Sequence, residues 1–261
     1  MKINGIVNGH KIKPHVSAII QARMQSKRLP GKVMLDLNGK PLLSHIIERS
    51  TLIEGVDTVV VATPTEEENL PIIDLAHSMG VRVFTGSMDN VLERYYMANQ
   101  EYNGDYIIRV TGDNPFIDIE YATMALDIAI ESGSDLCAIP NLPLGVAVEV
   151  IKREALEKSY QLSTKPYHRE HVTTFIKEHT ELFKIERPLV DINYPSSNLR
   201  LTVDTIEDYQ FAQLLYANLY RGKPFPLLDI IDYVHKNPKL AFINNGIKQR
   251  SSTHFEALSV K

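Results

Sequence analysis

The sequence predicts an α/β protein: three layers, Rossmann-like, with a mostly parallel central sheet, helices on both faces and a small inserted lobe. Three observations predict it. From residue 16 to about residue 138, short apolar runs alternate with segments of helical period, the order that crossover connections turn into a parallel sheet. The run VDTVVVAT, 56–63, is too apolar for a half-solvated strand and reads as one covered on both faces. Polar turns follow the runs that end at Gln21 and Thr111, which is where open parallel sheets take their ligands.

The elements follow in order. SAIIQA, 17–22, is the first buried strand. PLLSHIIERSTLI, 41–53, places Leu42, Leu43, Ile46, Ile47 and Ile53 on one helical stripe, with Pro41 in its first turn. After the strand at 56–63, ENLPIIDLAHSMG predicts a helix that Gly80 stops. VRVF, 81–84, is a short strand, and NVLERYYMANQEY, 90–102, a helix. YIIRVTGDNP, 106–115, is a strand that ends in a polar turn; IEYATMALDIAIESG, 119–133, is a helix ending at Gly133; SDLCAIP, 134–140, is another strand. From about 140 to 198 the pattern loosens, with GVAVEVIK strand-like and KPYHREHVTTFIKEH helix-like. This stretch reads as a lobe inserted into one domain spanning 16–237. LRLTVDT, 199–205, returns as a strand, and IEDYQFAQLLYANLY follows as a helix, with Thr205 as N-cap and Asp208 at the box position. PLLDIIDYVHKN, 226–237, is the last helix. Residues 1–15 read as an N-terminal extension and 238–261 as a tail without periodicity.

Composition bounds the partners. Of 261 residues, 44% are apolar, enough for a core and too many for a disordered chain. Lys and Arg number 28 against 32 Asp and Glu, a net charge of −4, so no overall basic field draws nucleic acid or an anionic membrane. Any phosphate affinity has to be local. No apolar run reaches the roughly 18 residues of a membrane span, and the opening MKINGIVNGHKIKPH lacks the continuous apolar stretch of a secretory signal. The single cysteine, Cys137, leaves no intrachain disulfide or cysteine zinc site and reads as a core thiol. The expectation is a reduced, cytoplasmic protein.

The strongest local signal is the loop after the first strand. Arg23, Lys27, Arg28 and Lys32 fall within ten positions, interrupted by Pro30 and Gly31, which prevent a helix from carrying them outward. A chain that doubles back there can aim several cations at one triphosphate. Neither the Walker pattern nor a G-x-G-x-x-G fingerprint is present. On composition alone, an ordinary solvated surface loop is an equally good reading.

Resemblance separates the two. Ala22, Arg23, Ser26, Arg28, Leu29, Pro30, Gly31 and Lys32, followed by Gly39, Lys40, Pro41 and Leu42, match the N-terminal signature of the cytidylyltransferases that activate acidic sugars, such as the CMP-Kdo and CMP-sialate synthetases. Segments at 86–96, 109–115, 169–173 and 199–205 resemble in particular the spore-coat polysaccharide cytidylyltransferase-like subgroup. The resemblance spans about residues 16–247 and implies the nucleotide-diphospho-sugar transferase fold. It implies CTP and a sugar or sugar acid as substrates, pyrophosphate release, a role in surface polysaccharide or glycan synthesis, and a homodimer. It places the CTP phosphates on Arg23 and Lys32, with Arg28 assisting. Gln21, Ala22, Ala62, Thr63, Arg109 and Thr111 are candidate nucleotide contacts, the choice of cytosine resting on the resemblance alone.

A triphosphate attacked at its α-phosphorus needs Mg²⁺ to neutralise charge, and Mg²⁺ takes one or two carboxylates. Asp113 in VTGDNP and Asp204 in LTVDT stand at predicted strand ends. On composition each reads as a turn or helix-cap residue, Asp113 the more so because Asp-Asn-Pro is a common turn formula; the resemblance reverses this and implies that both hold the metal and that Arg23, Lys32 and Asp113 are catalytic. The acceptor is expected at Glu149, His168, Arg169, Glu170 and Arg200. His168 and His171, three apart, share one side of a predicted helix and suit substrate or dimer contact better than a metal, since no third ligand is evident. Tyr160, Tyr167 and Phe175 are candidates for a two-fold contact.

Three rivals remain on sequence alone. A nucleotidyltransferase could use another nucleotide, or a phosphosugar or phosphonate acceptor. A glycosyltransferase would share the layout, although its usual Asp-x-Asp is missing from GDN. A non-catalytic nucleotide sensor would not need Asp113, Asp204, Arg23 and Lys32 together.

Overall fold

The computed structural model describes residues 13–191 and 199–248, with the backbone of 6–7 and 10–11. Part of the predicted extension, the last stretch of the predicted lobe (192–198) and most of the predicted tail (249–261) lie outside the described residues.

Seven strands form the central sheet: β1 Val16–Gln21, β2 Thr58–Pro64, β3 Arg82–Gly86, β4 Tyr106–Thr111, β5 Leu136–Ala138, β6 Glu149–Lys152 and β7 Ile185–Glu186. Their spatial order is β7-β5-β6-β4-β1-β2-β3. β1 pairs parallel with β2 and β4, β2 with β3, and β5 with β7, while β6 runs antiparallel to both β4 and β5. The mostly parallel sheet is therefore as expected, with one reversed strand.

The helices are α1 Leu42–Thr51, α2 Leu70–Ser78, α3 Val91–Tyr102, α4 Ile119–Ser132, α5 Arg153–Leu162, α6 Pro166–Glu170, α7 Thr174–Glu178, α8 Ile206–Leu219 and α9 Leu227–Lys236. The pleat sorts side chains between two cores. Ala18, Ile20, Val59, Val61, Ile108 and Val110 face one core, shared with α1, α2, α4, α8 and α9. Ile19, Val60, Ala62 and Ile107 face the other, with α3, α5 and α7. That is the three-layer arrangement, and β2 is covered on both faces, as its composition predicts.

Two local predictions change. LRLTVDT is not a ladder strand. It runs extended between two loops, the Leu201 N–H donating to the Leu144 carbonyl and the Val203 N–H to the Asp113 carbonyl, both at 2.8 Å. Gly145 lets it approach so closely. Its φ is +94°, and a Cβ there would lie 2.6 Å from backbone atoms of Leu201 and Thr202. KPYHREHVTTFIKEH is two short helices rather than one, because His171 leaves the helical region at φ −109°, ψ 85°. His168 and His171 thus do not share a helical face. Cys137 is buried, as expected of a core thiol.

Candidate active site

The basic loop doubles back as its residues predict. The N–H groups of Ser26 and Gly31 both donate to the Met24 carbonyl, each at 3.0 Å, and the Met24 N–H donates to Asn69 Oδ1 at 3.0 Å. Gly31 makes the reversal in the left-handed region, φ +68°, where a side chain is strained. A 3-10 turn, Lys32–Met34, follows and carries Lys32 beneath the carboxyl ends of β1 and β4.

There the loop meets both aspartates. Lys32 Nζ lies 2.8 Å from Asp113 Oδ2 and 2.8 Å from Asp204 Oδ1. Arg28 Nη2 is 2.9 Å from Asp204 Oδ2, and Arg200 Nη2 reaches that same oxygen at 2.9 Å. Lys32 and Asp204 are both buried. Burial pushes the Asp204 carboxyl upward, but Lys32, Arg28 and Arg200 outweigh it and hold the group below its ordinary range. The spacing of the two acids is fixed through the main chain, since Val203, next to Asp204, donates to the carbonyl of Asp113 itself.

This donor set fits Mg²⁺. Two carboxylates converge on one cation, the ammonium of Lys32, and offer hard oxygen donors of the kind and number that Mg²⁺ accepts when phosphate completes its shell. Among the described residues no group of three or more His, Cys, Asp or Glu is set to hold a metal.

Arg109 and Glu149 form a second knot beside the first. Glu149, opposite Arg109 in the β6–β4 register, takes its Nη1 at 2.8 Å, while Arg109 Nη2 reaches Gln21 Oε1 at 3.4 Å. Thr173 donates to both Glu149 oxygens at 3.1 and 3.0 Å, and Lys177 of α7 pairs with one of them. Burial alone raises the Glu149 carboxyl. Lys177 and Arg109 overcome that and hold it at about 2. Glu149, in β6 of the sheet, therefore ties Thr173 and α7 to the sheet, and both its oxygens have partners.

The remaining predicted residues fall in different places. Arg23 is half-exposed and faces Glu170, 3.8 Å away. The main chain of Gln21, Ala22 and Thr111 forms the floor: the Gly112 N–H donates to the Gln21 carbonyl at 2.8 Å, and Ala22 to that of Ala62 at 3.2 Å. Ala62 and Thr63, expected at the nucleotide, are fully buried at the end of β2. His168 is buried, its Nε2 2.9 Å from Glu178, and does not join the cluster. Arg169 is exposed on α6. Arg200, expected at the acceptor, pairs with Asp204 and Asp208. Phe175, expected in a two-fold contact, packs inside the chain between His179 and Phe183. Tyr160 stacks on Tyr96, and Tyr167 donates to Glu178.

Sequence reasoning missed Asn69, Thr173, Lys177, Asn244 and Arg94. Arg94 lies in the first turn of α3, buried, with its Nη1 on the Ser87 carbonyl; burial, with Arg23 adding like-charge repulsion, lowers its pKa to about 10. The GSMDNVLERYY segment that the resemblance rests on was the available signal for it.

Comparison with known proteins identifies the family and the fold. The family model described as cytidylyltransferase matches residues 17–221. The spore coat polysaccharide biosynthesis protein SpsF of Bacillus subtilis is 33% identical over 228 residues, covering 85% of this chain and 95% of its own. The solved structure of a cytidylyltransferase from Leptospira borgpetersenii superimposes with a TM-score of 0.83 at 32% identity, covering 90% of this chain and all of its own. A CMP:2-keto-3-deoxy-manno-octonic acid synthetase solved with CTP shares the fold at a TM-score of 0.60 and 19% identity, over 78% of this chain and 98% of its own.

Proposed function

Because the chain belongs to the cytidylyltransferase family, we propose that it transfers the CMP moiety of CTP to a sugar or sugar-acid acceptor with release of pyrophosphate, in surface polysaccharide or glycan synthesis. The observation that carries this reading is the double contact of Lys32 with Asp113 and Asp204, which joins the predicted phosphate loop to both predicted metal ligands.

Asp113 and Asp204 would hold Mg²⁺. When bound, it neutralises triphosphate charge and orients the α-phosphate oxygens. Lys32, released from the two acids, turns to the phosphates, with Arg28 beside it. Arg23 exchanges its long contact with Glu170 for a phosphate oxygen. The acceptor oxygen attacks the α-phosphorus and the bond to the bridging oxygen of the β-phosphate breaks. Pyrophosphate leaves with that oxygen, and the acceptor proton passes to a site carboxylate or solvent. Alignment and fixed positive charge supply the rate, as is usual where no covalent intermediate forms. CTP as the nucleotide and a polysaccharide role find support in the family description and in the name of the Bacillus relative. The alternatives are another nucleoside triphosphate, a phosphosugar or phosphonate acceptor, and glycosyl transfer from a finished nucleotide sugar.

Pyrophosphate release, assayed with each nucleoside triphosphate, Mg²⁺ and a panel of acidic sugars, tests the proposal. Release with CTP and an acidic sugar supports it. Preference for another triphosphate, or consumption of a CMP-sugar without pyrophosphate, overturns it.

A further inference from the structure

Asp208 has more partners than a helix cap requires. It fills the box position of α8: Thr205 Oγ1 accepts its N–H at 3.4 Å, and the Thr205 N–H reaches Asp208 Oδ2 at 3.1 Å. That accounts for an ordinary capping box. Three further groups converge on the same carboxylate. The Asp204 N–H donates to Oδ2 at 3.0 Å. Arg200 donates through Nε to Oδ1 at 2.8 Å and through Nη2 to Oδ2 at 3.1 Å. Asn244 Nδ2 donates to Oδ1 at 3.0 Å and also to the Arg200 carbonyl at 3.0 Å.

The side chain of Asp208 is fully buried, and Asn244 is 3% exposed. A buried carboxylate with this many donors has its oxygens fixed in space. It holds Asp204 twice: directly through the backbone N–H, and indirectly because the Arg200 guanidinium it orients donates to Asp204 Oδ2. Asn244 closes the set from the far side and comes from the segment whose sequence showed no periodicity. Its single amide group bridges both members of the Asp208–Arg200 pair, so it fixes their relative position rather than packing against them.

We propose that Asp208 and Asn244 are positioning residues that aim the Asp204 carboxylate at the metal, and that the segment reaching Asn244 belongs to the active site. This rests on the reading of Asp204 as a metal ligand. Outer-shell partners that orient a ligating group set metal affinity, and losing one costs about 10-fold or more.

The test measures Mn²⁺ binding by electron paramagnetic resonance, in the presence of a CTP analogue with a non-hydrolysable α,β-methylene bridge. It compares the wild type with Asn244→Ala, Asn244→Leu and Asp204→Asn, and records a melting curve for each. Asn244→Ala and Asn244→Leu remove the donor without adding a charge and are expected to melt within a few degrees of the wild type while binding Mn²⁺ about 10-fold more weakly. Wild-type affinity in either folded Asn244 variant overturns the proposal. So does a collapse of the melting temperature in both, which would make Asn244 a residue of the fold alone. If Asp204→Asn binds Mn²⁺ as the wild type does, the metal reading itself has failed, and that outcome is distinct from the other two.

Discussion

Lys32 and Asp204 are 172 residues apart in the chain and 2.8 Å apart in the folded protein. The contact is buried, and Lys32 extends it to Asp113. One ammonium thus occupies the point at which the basic loop, the turn after β4 and the segment before α8 come together. The predictions that follow test what each of those segments contributes.

In the proposed mechanism, removing the ammonium takes a phosphate donor from the site; in the structure it takes a partner from each acid. Lys32→Met is expected to lower kcat/KM for CTP by about 100-fold, the size of losing one fixed charge-stabilising donor. Arg28 and Arg200 still neutralise Asp204, so the melting temperature is expected to stay within a few degrees. Asp113→Asn and Asp204→Asn are expected to abolish turnover with the fold intact. Steady-state pyrophosphate release measures all three, and a wild-type rate in any of them removes that residue from the mechanism.

Arg200 separates two roles. If it holds Asp204, Arg200→Lys loses the two-pronged grip on Asp208 while keeping the charge, so kcat falls and the KM for the acceptor is unchanged. If it binds the acceptor instead, as its sequence position implies, the acceptor KM rises. Kinetics at saturating CTP distinguish the two, and the expected outcome is the first.

Glu149→Gln tests the knot between α7 and the sheet. The folded carboxyl sits at about 2, below its ordinary 4.5, so its stabilisation is fully present above pH 4.5 and is lost as the pH falls toward 2. Neutralising it leaves Arg109 and Lys177 without their shared partner. At pH 7 a loss of about 3 kcal/mol is expected, or roughly 6–12 °C in melting temperature for a chain of this size. The gap between variant and wild type is expected to narrow between pH 4.5 and 2, which melting curves across that range would show; a gap that stays constant removes Glu149 as its source.

Gly145→Ala tests the close approach that sets Asp204 in place. A methyl group there would meet the backbone of Leu201 and Thr202 at 2.6 Å, in a left-handed conformation that disfavours any side chain. A destabilisation of at least about 2 kcal/mol is expected, from steric overlap and backbone strain together. Chemical denaturation measures it, and a wild-type midpoint would mean that the segment yields without cost.

What was legible in the sequence was whatever local pattern encodes. The alternation before residue 138, the doubly covered β2 and the Thr205–Asp208 box depend on neighbours within a few positions, and each stands in the structure. The basic loop was legible because Pro30 and Gly31 forbid the helix that would scatter its cations. The misreadings share the opposite property. LRLTVDT looks like a ladder strand because it is apolar and β-branched, but its partners, Leu144 and Asp113, are loop residues that no period reveals. Glu149 draws on positions 109, 173 and 177, and Asp208 on 200 and 244, spacings that carry no signature. The HREH cluster suggested one polar face, yet one of its histidines is buried against Glu178 and the helix breaks at the other.

That Lys32 finds its second acid so late in the chain bears on how the protein is made. A ribosome releases the cationic loop early and Asp204 only after most of the sheet has been synthesised. A half-synthesised chain therefore carries the loop and Asp113 but not Asp204, so the ammonium has one of its two acids and Arg28 lacks its partner. The pairing is complete only when the extended segment that carries Asp204 joins the turn that carries Asp113.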